Sequence, residues 1–123
     1  MVVDDDMDIL QVIKTGLERS GFEVHGFGDP VLALQHLENR CKDCEVLVTD
    51  VRMPNMNGFQ LVRRAREIRP DLKTIMMTAF EMNKPEFETV FPSMQVVDVI
   101  RKPFLPSKLV EIIRKIRPLE EAI

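Results

Sequence analysis

Three short segments of this chain are almost wholly apolar, and this feature limits the possible folds most. They cover residues 46–49, 74–77 and 96–100. A strand without a polar face has to be covered on both sides, which is the arrangement of a parallel sheet flanked by helices. The intervening sequence carries apolar residues at helical spacing, and a last stripe of this kind covers residues 109–116. The chain is therefore expected to form an α/β domain.

The order of these patterns predicts five repeats of a strand followed by a helix. The predicted strands cover residues 1–3, 22–27, 46–49, 74–77 and 96–100, and the predicted helices cover residues 9–17, 30–37, 61–68, 83–91 and 109–116. Five such units usually form a doubly wound five-stranded parallel sheet with the strand order 2-1-3-4-5. We expect residues 1–123 to be one domain, whose very short first strand could begin before this sequence.

Composition and charge exclude several classes of protein. A length of 123 residues fits one domain of ordinary size. The net charge of −3 argues against direct binding to nucleic acid, and no apolar run approaches the ~20 residues of a membrane span. Two cysteines and the lack of a signal-peptide pattern favour a reducing cytoplasm over the environment of a secreted, disulfide-rich domain.

Polar residues follow four of the predicted strands. Asp4 and Asp5 follow the first strand, Asp50 the third, Thr78 the fourth and Lys102 the fifth. In open parallel sheets, ligands bind beyond the carboxyl ends of the strands, at the point where the strand order reverses. These five side chains are therefore expected to share one crevice.

The chemistry of this set favours a phosphoryl group and Mg²⁺. Close carboxylates repel one another unless a cation is present, and ligation by oxygen alone is typical of Mg²⁺, which also accepts phosphate oxygens. A hydroxyl and an ammonium are suitable donors to the phosphoryl oxygens. In a purely structural interpretation, each aspartate only caps a helix and the lysine is a solvated loop residue. That interpretation does not explain why four strand ends all carry residues suited to a phosphoryl group and Mg²⁺.

Four segments of the chain resemble the receiver domain of two-component response regulators. Residues 2–6 (VVDDD) resemble the acidic pair of its first strand, and residues 48–58 (VTDVRMPNMNG) resemble its phosphoacceptor segment. Residues 77–79 (MTA) and 101–104 (RKPF) resemble its later motifs, in the right order and at the right spacing. The resemblance implies a flavodoxin-like fold with five strands and five helices.

The resemblance also implies a role for each residue that matches a motif. Asp50 would accept a phosphoryl group from a histidine kinase, Thr78 would donate a hydrogen bond to it, and Lys102 would pair with it. Pro103 would follow a cis peptide bond.

The implied metal ion is Mg²⁺. Asp5 would bind it directly, Asp4 would assist through water, and Asp50 and the backbone carbonyl of Arg52 would complete the protein's part of the site.

The partners implied by the resemblance are proteins. A sensor histidine kinase or a phosphotransfer protein would donate the phosphoryl group, and a downstream effector or output domain would read it, with a phosphorylation-dependent homodimer as a further assembly. Neither nucleic acid nor a membrane is an expected partner of this chain. Such a domain is a signalling switch that catalyses only its own phosphorylation and dephosphorylation, so it is not expected to turn over an outside substrate.

Two other functions remain open at this point. A degenerate receiver would bind partners without phosphorylation; Val99 keeps this alternative open, because it stands where the family usually has the Tyr or Phe that reports phosphorylation. A haloacid-dehalogenase-like phosphohydrolase would use Asp4 and Asp6 as its D-x-D pair, with Asp4 as the nucleophile. That family also needs a late acidic pair and usually a cap, which a chain of 123 residues does not offer.

The cysteines form a Cys41-x-x-Cys44 pair, with His36 five residues earlier. A zinc or redox site is one interpretation, but a structural zinc needs a fourth ligand, and the pair lacks the helix N-terminus that redox pairs use. We therefore expect a reduced loop that faces solvent.

Overall fold

A computed structural model describes residues 1–39, 44–79 and 98–116. Its strands are β1 (Val2–Val3), β2 (Gly26–Phe27), β3 (Val46–Asp50), β4 (Lys73–Thr78) and β5 (Asp98–Arg101). Its helices are α1 (Met7–Arg19), α2 (Pro30–Asn39), α3 (Gly58–Ile68) and α4 (Pro106–Ile116). The helix predicted over residues 83–91 lies outside the described residues.

The strands form one parallel sheet in the order β2-β1-β3-β4-β5. This confirms the doubly wound α/β fold and the strand order that the sequence predicts. The order reverses between β1 and β3, so the carboxyl ends of these two neighbouring strands border the crevice.

The sheet is buried on both faces, which explains its apolar strands. Successive residues of a strand point to opposite faces; thus Leu47 packs with the core on the side of α2 and α3, and Val48 packs with the core on the side of α1 and α4. Met76 and Met77 divide between the two cores in the same way. Both faces therefore need apolar residues, and no polar face remains.

Short polar side chains begin three of the helices at the carboxyl edge of the sheet. Asp6 caps α1 and accepts hydrogen bonds from the N–H groups of residues 8 and 9 at 3.0 and 3.3 Å. Asp29 accepts one from the Val31 N–H at 2.9 Å at the start of α2. Asn57 and Gln60 form a capping box on α3. The caps fix where each loop from a strand turns into its helix, and hence the shape of the crevice.

Some local predictions differ from the structure. The second strand contains only Gly26–Phe27 rather than residues 22–27, because only these two residues pair with β1. Leu32 and Ile68 belong to predicted apolar stripes, yet their side chains are 51% and 38% exposed. Both lie near a helix end, where helical spacing alone does not determine burial. No helix in the three described segments is long and apolar enough to cross a membrane.

Cys44 corrects the prediction made for the cysteine pair. It is buried and disulfide-bonded, so the expectation of a reduced residue that faces solvent is wrong for Cys44. A disulfide sulfur is not a thiolate, and this also removes it as a zinc ligand. Cys41 lies outside the described residues.

Candidate functional site

Three carboxylates meet at the carboxyl ends of β1 and β3. Asp4, Asp5 and Asp50 each place one oxygen within 4.8 Å of the others. Asp4 is completely buried, Asp50 is half-buried, and Asp5 is exposed to solvent. The cluster therefore has a closed inner side and an open outer side, and the sequence predicted all three of its members.

Lys102 brings a positive charge to these carboxylates from the end of β5. Its Nζ lies 2.7 Å from Asp4 Oδ2 and 3.5 Å from Asp50 Oδ1. Its backbone N–H donates a hydrogen bond to the Thr78 carbonyl at 2.8 Å, and a cis peptide bond joins it to Pro103, as the resemblance implied. The structure thus places Lys102 inside the crevice and closest to Asp4.

Both oxygens of the Asp4 side chain accept hydrogen bonds. Asp4 Oδ1 accepts one from the Asp6 backbone N–H at 2.9 Å, and Oδ2 accepts one from Lys102 at 2.7 Å. Asp4 is therefore the residue that holds the lysine in place, a role that the sequence reasoning missed. The sequence carried a signal only for the bond with Asp6. In an Asp4-x-Asp6 spacing, the first aspartate side chain commonly accepts a hydrogen bond from the backbone N–H two residues later.

The backbone around Asp50 is held closely on two sides. The Thr49 hydroxyl donates a hydrogen bond to the Asp50 carbonyl oxygen at 3.0 Å, and the Val51 N–H donates one to Asp50 Oδ1 at 2.9 Å. Gly58 begins α3 directly against this backbone, so that a Cβ added to Gly58 would lie 2.3 Å from the Asp50 carbonyl oxygen. Gly58 therefore allows a close approach between α3 and the Asp50 backbone that a Cβ would prevent.

The pKa values of two groups in the crevice are shifted. Burial raises the pKa of Asp50 above its ordinary value of 3.8, and the nearby Asp4 carboxylate adds to the rise, while Lys102 opposes it. Burial alone would lower the pKa of Lys102, but its hydrogen bond and charge interaction with Asp4, together with the charge of Asp50, raise it above 10.5. The lysine is therefore charged at neutral pH, whereas burial disfavours the ionised form of the Asp50 carboxyl.

We expect Asp50→Asn to stabilise the metal-free fold by about 1 kcal/mol at neutral pH, because it removes a charge that the folded state disfavours. The folded pKa of Asp50 is raised, so wild-type protein regains this stability as the pH falls through that pKa towards 3.8. In thermal unfolding with a chelator, the difference in unfolding free energy between Asp50→Asn and wild type should therefore be largest at pH 7 and should approach zero near pH 4. A difference that grew in acid would contradict a raised pKa for Asp50 in the folded protein.

The structure also describes three further residues that the sequence analysis singled out: Thr78, Arg52 and Val99. Thr78 is 1% exposed at the end of β4, next to the crevice. Arg52 follows β3 by two residues, and its side chain is exposed; its carbonyl as a metal ligand remains a prediction. Val99 is half-buried beside Met76, against the core on the side of α2 and α3.

Known proteins share this sequence and architecture. Residues 1–114 match the response regulator receiver domain family. The response regulator receiver protein CpdR of Brucella abortus (strain 2308) is 33% identical over 115 residues, which cover 94% of this chain and 92% of that protein. The response regulator SaeR of Staphylococcus aureus (strain USA300) is 30% identical over 111 residues, and the match covers 89% of this chain but only 46% of SaeR.

A solved structure agrees with these relatives. The CheY-like response regulator receiver domain protein from Methanospirillum hungatei JF-1 has a TM-score of 0.80 and 29% sequence identity, and the match covers 98% of this chain and 94% of that one. Fold, sheet order and the acidic crevice all agree with the sequence match. This chain belongs to the response regulator receiver domain family.

Proposed function

We propose that Asp50 is the phosphoacceptor of a signalling switch. The observation that carries the proposal is the meeting of three carboxylates with one lysine at the ends of β1, β3 and β5. Asp50 is the member that combines partial exposure with a position 3.5 Å from the Lys102 ammonium. Its side chain is 14% exposed, and its backbone carbonyl accepts a hydrogen bond from Thr49 and lies against Gly58.

The proposed reaction moves a phosphoryl group from a nitrogen to an oxygen. An oxygen of the Asp50 carboxylate attacks the phosphorus of a phosphohistidine, and a phosphorus–oxygen bond forms as the phosphorus–nitrogen bond breaks. The bonding electrons go to the imidazole, which takes up a proton from water. Lys102 is 3.5 Å from Asp50, so its ammonium is placed to move from Asp4 to the oxygens of the transferred group. Thr78 is proposed as the hydroxyl donor to the same oxygens.

The carboxylate cluster fits a hard divalent cation. Asp5 and Asp50 would hold Mg²⁺, with the carbonyl of Arg52, and Asp4 would assist through water because both of its oxygens are already engaged. The raised pKa of Asp50 supports this, since a cation would relieve the cost of its buried charge. When bound, Mg²⁺ would neutralise the charge that develops on the phosphoryl oxygens.

We expect Asp5→Asn to weaken Mg²⁺ binding about tenfold or more, equivalent to at least about 1.4 kcal/mol, because the variant loses the carboxylate on the open side of the cluster. Titration calorimetry measures this directly. Asp8→Asn is the matched control, since Asp8 is also an exposed carboxylate but lies on α1 outside the cluster. Equal loss in the two variants would mean that the metal responds only to net charge.

The partners and the extent of the domain belong to the same proposal. Receiver domains interact with histidine kinases and output domains, and we propose a sensor histidine kinase or phosphotransfer protein as the donor to this chain. A downstream effector or output domain would read the phosphorylated state, with a phosphorylation-dependent homodimer as one form of that response. Residues 1–123 are proposed to be one receiver domain that acts in the cytoplasm and modifies only itself.

The test uses a small-molecule phosphoryl donor. The intact mass of the protein is measured after incubation with acetyl phosphate, with and without Mg²⁺. We expect a gain of one phosphoryl group that requires Mg²⁺ and is absent in Asp50→Asn. No gain in wild-type protein that binds Mg²⁺ would support the degenerate receiver and contradict the proposal.

The geometry of Asp4 argues against the phosphohydrolase. Asp4 would have to be its nucleophile, yet Asp4 is 0% exposed and both of its oxygens accept hydrogen bonds. A fully buried carboxylate in this position is closed to an incoming phosphorus atom.

A further inference from the structure

Three exposed apolar side chains collect where α1 and α2 begin. Met7 is 62% exposed, Leu32 is 51% exposed and Val31 is 43% exposed. Their helices follow β1 and β2, so all three lie at the carboxyl edge of the sheet, on the opposite side of the crevice from β4 and β5. We call these residues the Met7 patch.

The patch is joined across the loop between β2 and α2. Met7 Sδ lies 2.7 Å from the position that a Cβ would take on Gly28, so the methionine lies over this loop. Val31 follows three residues later, where Asp29 fixes the first turn of α2. Exposed apolar side chains therefore lie on both sides of this loop, at the start of α1 and in the first turn of α2.

Negative charge surrounds this apolar surface. The side chains of Asp5, Asp6, Asp8 and Asp29 are all exposed at the same helix starts. Residues 1–13 and 26–35 contain no Lys or Arg. An apolar patch with a rim of one charge is typical of a protein-binding surface, where the rim selects a partner of opposite charge. The same rim repels nucleic acid and anionic lipid.

We propose that the Met7 patch binds a basic amphipathic segment of another protein. Such a segment offers apolar side chains to Met7, Val31 and Leu32, and Lys or Arg side chains to the surrounding aspartates. This charge complementarity is what identifies the occupant. The proposal goes beyond phosphorylation of Asp50, because none of the three apolar residues belongs to the carboxylate cluster and only Asp5 of the acidic rim is shared with it.

The test uses a defined probe. A short synthetic helical peptide with Leu on one face and Lys on the other is titrated into the isotope-labelled full chain, and backbone amide shifts are followed by NMR. We expect the largest shifts at residue 7 and residues 28–32. A second peptide with Glu in place of Lys should not bind, and the affinity of the Lys peptide should fall as salt is added.

Variants decide whether the apolar residues carry the binding. Met7→Gln and Leu32→Gln should each weaken the Lys peptide about tenfold. Ile68→Gln should not, since Ile68 is also an exposed apolar residue but lies at the far end of α3. Equal weakening by all three variants would overturn the proposal, as would shifts spread over every acidic region or centred on Val12 and Leu105, the other exposed apolar residues near α1 and α4.

Phosphorylation of the same variants separates this inference from the proposed function. Met7→Gln and Leu32→Gln should still gain a phosphoryl group from acetyl phosphate. A chain that is phosphorylated but does not bind the Lys peptide at the patch contradicts this inference alone. A chain that binds the peptide there but is not phosphorylated contradicts the proposed function alone.

Discussion

Lys102→Met is expected to destabilise the metal-free protein by roughly 3 kcal/mol, because it leaves two carboxylates without their cation. Asp4 is 0% exposed and the Lys102 side chain is 16% exposed, so solvent cannot replace the ammonium at 2.7 Å. Unfolding by denaturant, followed by circular dichroism in the presence of a chelator, measures the loss. Tryptophan or tyrosine fluorescence cannot be used, since the chain contains neither residue.

The matched control for this change is Lys14→Met. Lys14 forms an ion pair with Glu18 at 3.4 Å on the surface of α1, where both side chains are more than a third exposed. Removing such a pair costs at most about 0.5 kcal/mol. Added Mg²⁺ should restore more stability to Lys102→Met than to wild-type protein, because the variant has no competing ammonium. Equally small losses in both variants would mean that Lys102 does not hold Asp4.

The stability that Lys102 contributes has a defined pH range. Its folded pKa is raised above 10.5, so the contribution is present below pH 10.5 and is lost as the pH rises through the folded pKa. On the alkaline side, the difference in stability between Lys102→Met and wild type should therefore persist up to pH 10.5 and narrow only above it.

Gly58→Ala is expected to slow phosphorylation by about 100-fold, the cost of a displacement of about 1 Å at a reacting group. The added Cβ would lie 2.3 Å from the Asp50 carbonyl oxygen and 3.1 Å from its carbon, so either α3 or the Asp50 backbone has to move. Overpacking of this kind also destabilises by about 2 kcal/mol, even though alanine favours a helix. The initial rate with acetyl phosphate and the unfolding free energy report the two effects separately.

The matched control for Gly58→Ala is Gly26→Ala in β2. A Cβ there would meet the Leu10 Cδ1 atom at 3.3 Å, which is the end of a flexible side chain that can move. We expect a small loss of stability and an unchanged rate of phosphorylation. A normal rate in Gly58→Ala would contradict the view that this glycine positions Asp50.

The sequence predicted the sheet and the members of the site because both follow from the ends of strands. Strands without a polar face required a parallel sheet, and a parallel sheet brings Asp4, Asp5 and Asp50 to one edge whatever the details of packing. The pairing of Lys102 with Asp4 was not predicted, because it depends on how far the side chain from β5 reaches across the crevice. The exposure of Leu32 was also missed, since helical spacing places a residue on a face but does not reveal whether another element covers it.

Mapping the phosphorylated residue tests the central claim most directly. An acyl phosphate on aspartate is reduced by borohydride to homoserine, which fragmentation mass spectrometry locates in the sequence. Protein treated with acetyl phosphate and Mg²⁺ should contain homoserine at position 50 and no homoserine at position 4 or 5. Homoserine at position 4 would assign the nucleophile to Asp4 and contradict the receiver mechanism proposed for this chain.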